Sequence, residues 1–365
     1  MEEEKKLEKV ISVVCDGCGA KMVYNAKDQQ MKCDNCGTTK PVPTANDLIV
    51  EVDFREGLAL EAAPKGLGIE ARAFHCKTCG AVSMVEAKTV NINCTFCDSQ
   101  NVNEEAYNTQ MIKPAGVIPF SITKDKAAEA FKTWIGSGWF RPGNLAKMAR
   151  PEKFGGMYIP FWTYDAHTDS SWTAEAGYHY YETEHYTDSE GKSQTRQVQH
   201  TRWVPASGYF QHWFDDVLVI ASKGVEQSRA QEVYPYDLKK VVNYEPSFLL
   251  GWKSELYAKD VKQGFEVADK IMDEHIRNQC FKQVPGDTQR NLNVRTKKYK
   301  ITFKHILLPL WVSAYQFGGK TWQVIVNGQT GKISGGKPYS VIKITLAVIF
   351  AIIVIVGIYM LTKKH

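Results

Sequence analysis

Apolar positions along this chain switch between two periods, and the switches mark out its elements. The stretch Lys124–Ile135 carries Ala127, Ala130, Phe131 and Trp134 at helical spacing. Thr123 stands where an N-cap belongs, and Asp125 sits in the first turn, where the helix dipole favours acid. Period-two alternation then runs through Met157–Tyr164, Ser171–Tyr186 and Gln197–Trp213. These stretches are rich in Tyr, Trp, Thr and Val, with a polar turn at Asp188–Ser193, and predict antiparallel strands. Helical spacing returns at Lys223–Glu232 and Ser254–Phe281. In the second of these, Tyr257, Val261, Phe265, Ala268, Met272, Ile276 and Cys280 form one stripe, so Cys280 reads as a core residue. Strands are expected again at Tyr299–Phe303, Leu308–Phe317 and Thr321–Asn327, with hairpin turns at Gly318-Gly319 and Asn327-Gly328. Strands, then helices, then strands predict an α+β domain. Two of its strands open alike, as YIPFWTYDA and LLPLWVSAY.

The last pattern has no period. Ile344 to Leu361 is an uncharged apolar run flanked by Lys343 on one side and Lys363 and Lys364 on the other, with Tyr339 and Tyr359 placed as interfacial aromatics. At 1.5 Å per residue the run covers roughly 27 Å, close to the hydrocarbon thickness of a bilayer. It is apolar on every face, unlike the one-sided stripe of a surface helix. One C-terminal transmembrane helix is expected.

Eight of the nine cysteines repeat a single spacing. Cys15-x2-Cys18 and Cys33-x2-Cys36 are separated by fourteen residues, and so are Cys76-x2-Cys79 and Cys94-x2-Cys97; each cysteine recurs 61 positions later. Each C-x2-C turn puts two thiolates on one side of a tight loop, and Gly19, Gly37 and Gly80 let the chain curl around an ion. Two such turns joined by a hairpin supply a closed four-thiolate shell, so two structural Zn²⁺ ions are expected. In the first module the hairpin reads as Lys21–Tyr24, a turn at Asn25–Gln29, and Met31–Cys33. Disulfides would need an oxidising compartment, and Met1–Val10 is charged with no apolar export core. A redox dithiol stands alone rather than in paired sets.

Composition confirms a folded chain: of 365 residues, 44% are hydrophobic and 23% charged, which excludes low-complexity and wholly disordered classes. Net charge is +5, unevenly spread. Residues 1–110 hold 12 Lys+Arg against 17 Asp+Glu, a net of −5, whereas Thr288–His365 has 12 basic residues and no acidic one. The basic end suits an anionic leaflet, at roughly 1 kcal/mol per near-surface cation, and Lys332, Lys337 and Lys343 are the expected lipid-facing residues. Thiolate chemistry and the lack of an export signal place the N-terminal bulk in the cytoplasm, as a single-pass, tail-anchored protein of the cytoplasmic membrane with Thr362–His365 outside.

Catalytic motifs are incomplete. Gly318-Gly319-Lys320-Thr321 lacks the earlier glycine of a phosphate loop, that position being Ala314, and it joins two strands rather than opening a helix. His167, His179, His185, His200 and His212 lie near Asp165, Asp169, Asp215 and Asp216 in sequence, where an acid–base or metal site could be assembled. No hydrolase signature frames them, and an enzyme is not expected. Nucleic-acid binding by the ribbons is disfavoured: their segment is acidic, and each four-thiolate zinc adds about −2. A protein partner docking on exposed ribbon strands is the better expectation.

The CxxCG knuckles, IPFSITKDKAAEAFKTW, YIPFWTYDAHT, FDDVLVIAS, YPYDLKKVVNYEPSFLLGWKSELY, ITFKHILLPLWVSAYQFGGKTWQVIVNGQTGKISG and the C-terminal apolar helix together resemble a bacterial family of TFIIB-type zinc-ribbon membrane proteins. Members are often labelled primosomal protein N-prime, a replication-restart helicase. With no complete Walker A loop and no DExH box here, helicase activity is not carried over. The resemblance implies a membrane anchor acting with SPFH (flotillin-like) proteins and phage-shock protein A in envelope stress. The expected organisation is zinc ribbon 1 (1–48), linker and zinc ribbon 2 (49–110), a strand-rich α+β domain (111–338) and the anchor (339–365). The oligomeric state is left open.

Overall fold

A computed structural model describes residues 13–42, 49–60, 67, 71–86, 93–105, 111–143, 145, 154–187, 189 and 191–362. The first module is a three-stranded sheet of β1 (Val23–Asn25), β2 (Gln30–Lys32) and β3 (Thr39–Lys40). The β1–β2 turn is held by Asn25, whose Oδ1 accepts from the Lys27 and Asp28 amides at 2.9 and 3.1 Å. The short strand β4 (Val52–Asp53) leads into α1 (Phe54–Leu60). The second module contributes β5 (Ala71–Cys76), β6 (Val82–Glu86) and β7 (Val102–Glu105). Next come β8 (Gly116–Val117) and α2 (Lys124–Gly136), capped by Thr123 as its sequence predicts.

The sheet at the centre is larger than the alternation predicted. The separate stretches fuse into β9 (Gly155–Thr187) and β10 (Ser193–Ile220). After α3 (Gln227–Glu232), β11 (Val242–Asn243), β12 (Lys253–Glu255) and α4 (Val261–Gln283), a third long strand follows, β13 (Thr288–Phe317). It turns through Gly318 and Gly319, both at positive φ, into β14 (Lys320–Asn327). β15 (Ile333–Gly335) and α5 (Val341–Thr362) close the chain. β9 is the middle strand of an antiparallel blade, with β10 on one side and β13 on the other.

The fusion has a physical cause. β9 passes through three environments. Met157–Ala166 is buried on both faces, so the alternation read in Met157–Tyr164 does not separate a buried face from an open one. From Thr168 to Ala176 even positions are buried and odd ones face outward, which is the period-two signal. Beyond Gly177 the third strand ends, because β13 begins opposite it at Thr288. Tyr178–Thr187 and Ser193–Arg202 then continue as a two-stranded hairpin, roughly 33 Å long at 3.3 Å per residue.

Helix α4 covers the even face. Its 23 residues span about 34 Å, matching the ~33 Å of β9 from Trp162 to Trp172. Trp162 Nε1 donates to the Lys259 carbonyl at 2.9 Å, Tyr164 Oη to the Val261 carbonyl at 2.7 Å, and Trp172 Nε1 to Gln283 Oε1 at 2.9 Å. Asp260 caps the helix, reciprocally with Gln263, so α4 starts later than the predicted Ser254; Ser254 itself lies in β12. Cys280 is buried against the blade, as its stripe predicts.

Both cysteine modules are built into this body. Tyr24 of β1 donates to the Phe120 carbonyl at 3.3 Å, and Trp252 Nε1 donates to the Tyr24 carbonyl at 2.8 Å. Trp252 stacks on Phe120 with ring centres 4.1 Å apart. The second module extends the sheet itself: β12 pairs with β6 on one side and, in parallel, with β9 on the other. The fold is mixed α+β and strand-rich.

Candidate metal centres

Every knuckle closes with the same two hydrogen bonds. In the first module the Gly19 and Gly37 amides donate to the Cys15 and Cys33 carbonyls at 2.9 and 2.8 Å; in the second, Gly80 and Asp98 donate to Cys76 and Cys94 at 2.8 Å each. The donor residue has φ between 59° and 76° in all four. Glycine adopts that left-handed conformation freely, and Asp tolerates it. That is why the fourth knuckle works with Asp98 where the others have glycine. The first cysteine of each knuckle in turn donates its amide to the residue five positions on, Ala20, Thr38, Ala81 or Ser99, at 2.8–3.0 Å.

These loops aim the sulfurs inward. The Sγ pairs Cys15–Cys36, Cys18–Cys33, Cys76–Cys97 and Cys79–Cys94 lie 3.4, 3.5, 3.6 and 3.5 Å apart. Within each set all four ligand atoms fall within 4.8 Å of one another. A tetrahedral Zn²⁺ with Zn–S near 2.3 Å needs sulfur–sulfur edges of about 3.8 Å. The two clusters are therefore compatible with two zinc ions, each fully coordinated by protein sulfur.

The settings differ. Cys15, Cys33, Cys76 and Cys94 are buried, but Cys18 and Cys36 are exposed while Cys79 and Cys97 are half-buried. The second cage is walled by the central domain. Lys253 Nζ donates to Thr95 Oγ1 at 3.0 Å, and burial holds that lysine below its ordinary pKa, countered by the nearby Cys94. Gln323 Nε2 donates to the Phe96 and Gly224 carbonyls at 3.1 and 2.9 Å, tying the Cys94–Cys97 knuckle to β14. Gly224 lies under the Phe96 ring, where an added Cβ would meet ring carbons at 2.6 Å. Thr78 and Ser99 link the two knuckles through their hydroxyls at 2.8 Å. No spacing rule points to Lys253, Gly224 or Gln323, which come from three distant segments.

The histidines of the strand-rich section do not assemble into a centre. His167 stacks between Trp213 and Tyr299, His200 stacks on Tyr180, His179 Nδ1 meets Thr201 Oγ1 at 3.0 Å, and His212 lies 4.9 Å from His275 between ring centres. His185 pairs opposite Thr195 in the exposed hairpin. Among the described residues, the third place where carboxylate, thiol or imidazole ligand atoms converge is Asp165, Asp215 and Asp216. Lysine already serves that group: Lys304 Nζ sits 2.8 Å from Asp216 and 3.0 Å from Glu51. Asp165 accepts from the Asp216 amide at 2.6 Å. Burial, and its hydrogen bond with Glu51, push the Asp165 carboxyl up to about 7; the same hydrogen bond holds Glu51 below the usual carboxylate range. Of the two carboxyls it is Asp165 that holds a proton more tightly than usual, and the node fastens the segment before β4 to the blade.

At the C-terminus, Ile344 and Leu361 both lie in α5, none of whose residues is buried. It is one helix long and apolar enough to cross a membrane. Lys332 donates to the Tyr234 carbonyl at 2.5 Å; Lys337 turns inward, to Ser137 Oγ at 2.9 Å and over the Trp134 ring at 4.1 Å. Lys343 reaches the Trp139 carbonyl at 3.3 Å. Lys363 and Lys364 lie outside the described residues.

The chain is 26% identical over 335 residues to YdjG, an uncharacterised protein of Bacillus subtilis (strain 168), in a match covering 91% of each chain. No family model matches the chain, and no solved structure matches it.

Proposed function

We propose that this protein is a membrane-anchored zinc-ribbon adaptor that recruits cytoplasmic proteins to the bilayer. The observation that carries this reading is the pairing, in one chain, of two closed four-thiolate cages with one exposed apolar helix. Four cysteines saturate a tetrahedral Zn²⁺, leaving no position for water or substrate, so each ion serves to hold a surface rather than to drive turnover. Thiolate cages persist in a reducing space, which supports a cytoplasmic N-terminal bulk. The half-exposed first ribbon, with β3 at its edge, offers short strands of the kind that partner chains extend. The resemblance to TFIIB-type zinc-ribbon membrane proteins suggests SPFH (flotillin-like) and phage-shock protein A-type partners and a place in envelope stress.

The test is direct. Full-length protein purified from membranes should carry two zinc ions per chain by elemental analysis, and one after Cys18→Ser with Cys36→Ser. Deleting 344–361 should move it to the soluble fraction, and affinity capture from solubilised membranes should lose its partners when the first ribbon is disrupted. A salt-dependent DNA affinity that disappears with the same cysteine changes would replace the adaptor by a nucleic-acid-binding protein.

A further inference from the structure

The fold brings an aromatic loop, two hundred residues earlier in sequence, to the foot of α5. Helix α2 ends at Gly136; the Ser137 amide and hydroxyl both return to the Trp134 carbonyl, at 3.2 and 2.6 Å, and Gly138 turns the chain at φ 107°. The next two side chains point outward: Trp139 is 87% exposed and Phe140 40%. Contacts from both sides clamp this loop to the start of α5. The Ser340 amide donates to the Phe140 carbonyl at 2.8 Å, and Ile344 returns to the Ser340 carbonyl as the helix begins. Arg141 Nη1 donates to the Lys337 carbonyl at 2.9 Å, and its guanidinium lies 4.2 Å from the centre of the Tyr339 ring. Lys343 Nζ meets the Trp139 carbonyl at 3.3 Å.

This arrangement fixes depth. If α5 crosses a bilayer, its 22 residues cover about 33 Å, so the turn at Ser340 lies at the headgroup boundary. A main-chain hydrogen bond at 2.8 Å leaves Phe140 at that same level. Trp and Tyr partition to this level, apolar face toward the acyl chains and polar edge toward water. Arg141 and Lys343 lie beside them, and neither 137–143 nor 336–343 contains an acidic residue.

We propose that the Gly138–Arg141 loop is a second membrane contact, with Trp139 and Phe140 seated in the lipid interface beside an anionic phospholipid headgroup. Together with α5 it makes a two-point attachment that sets the orientation of the α+β body on the bilayer. The inference rests on the anchor reading above, and its test separates the two.

Full-length protein is reconstituted into phosphatidylcholine–phosphatidylglycerol vesicles, and the Trp139 emission is taken as the difference between wild type and Trp139→Phe. Because Trp139 is exposed, that variant keeps the fold. Flotation of both proteins reports the anchor. Lipid brominated near the headgroup end of its acyl chains should then quench the difference emission about twofold, while aqueous iodide leaves it unchanged. Floating protein whose Trp139 emission is quenched by iodide and not by bromolipid overturns this inference and leaves the anchor standing. Emission shielded from both quenchers would mean that protein covers the loop, which also overturns it. Protein that fails to float overturns anchor and loop together.

Discussion

Single residues decide how the long strands bend. The three register shifts of the blade each carry a residue at positive φ: Asp216 at 54°, Asn291 at 57° and Lys300 at 50°. Such extra residues kink and twist a strand. The bulge at Asp216 also turns its amide onto Asp165, building the buried node with Glu51 and Lys304. The folded pKa of Asp165, about 7, lies above its ordinary 3.8, so the folded chain binds more protons than the unfolded one between those values. Stability from this group is therefore full below about pH 4 and is lost as pH rises through 7. Glu51 shifts the other way, and its contribution is lost only as pH falls below the ordinary carboxylate range. Asp165→Asn keeps one acceptor and one donor and removes the titration. We expect the unfolding free energy of the detergent-solubilised variant, from urea titrations, to fall less than that of wild type between pH 5 and 8, by roughly 1–3 kcal/mol, with the remaining slope left to other buried groups such as Glu255; parallel profiles would refute the assignment.

Among the elements, α4 shows how close packing constrains a sequence whose periodicity is otherwise permissive. Gly264 lies in its first turn against β9, where an added Cβ would stand 2.3 Å from Tyr164 Oη and 2.6 Å from Trp162 Cδ1. Helix propensity favours alanine there by about 1 kcal/mol, but the overpacking cost is about 1–3 kcal/mol and falls on two fully buried rings. Gly264→Ala should lower the unfolding midpoint and shift the near-ultraviolet circular dichroism of Trp162, with far-ultraviolet helix content unchanged. A stabilised variant would show that the helix seats farther from the blade. The helical stripe predicted α4 and its buried face, yet nothing in the stripe distinguishes Gly264 from a tolerated helical glycine. The long strands were legible as separate runs, Met157–Tyr164 and Ser171–Tyr186 for β9 and Tyr299–Phe303 and Leu308–Phe317 for β13; their continuity was not, because burial changes from two faces to one along each strand.

For the molecule as a whole, the two cages belong to different stability classes. The first is attached through Tyr24 and leaves Cys18 and Cys36 exposed, whereas the second is continuous with the central sheet through β6 and β12. Loss of an exposed ion needs only local opening, while loss of the second disturbs the sheet. Chelator challenge followed by native mass spectrometry should release zinc in two phases, with the fast phase absent in Cys18→Ser/Cys36→Ser protein. Simultaneous release, or a fast phase that survives those substitutions, would contradict the difference in burial.

Sequence alone determined what depends on local spacing. Knuckle geometry is a property of six contiguous residues, so the two clusters Cys15, Cys18, Cys33, Cys36 and Cys76, Cys79, Cys94, Cys97 could be read directly, as could an uninterrupted apolar helix. Tertiary structure decided everything made by short or distant pairings. The three residues of β12 carry too little pattern to reveal that they join the second ribbon to β9, and the Trp139 loop acquires its meaning only where the chain returns to it as α5. Hydrogen bonds and burial act on proximity in space, which the order of residues records only when the partners are neighbours along the chain.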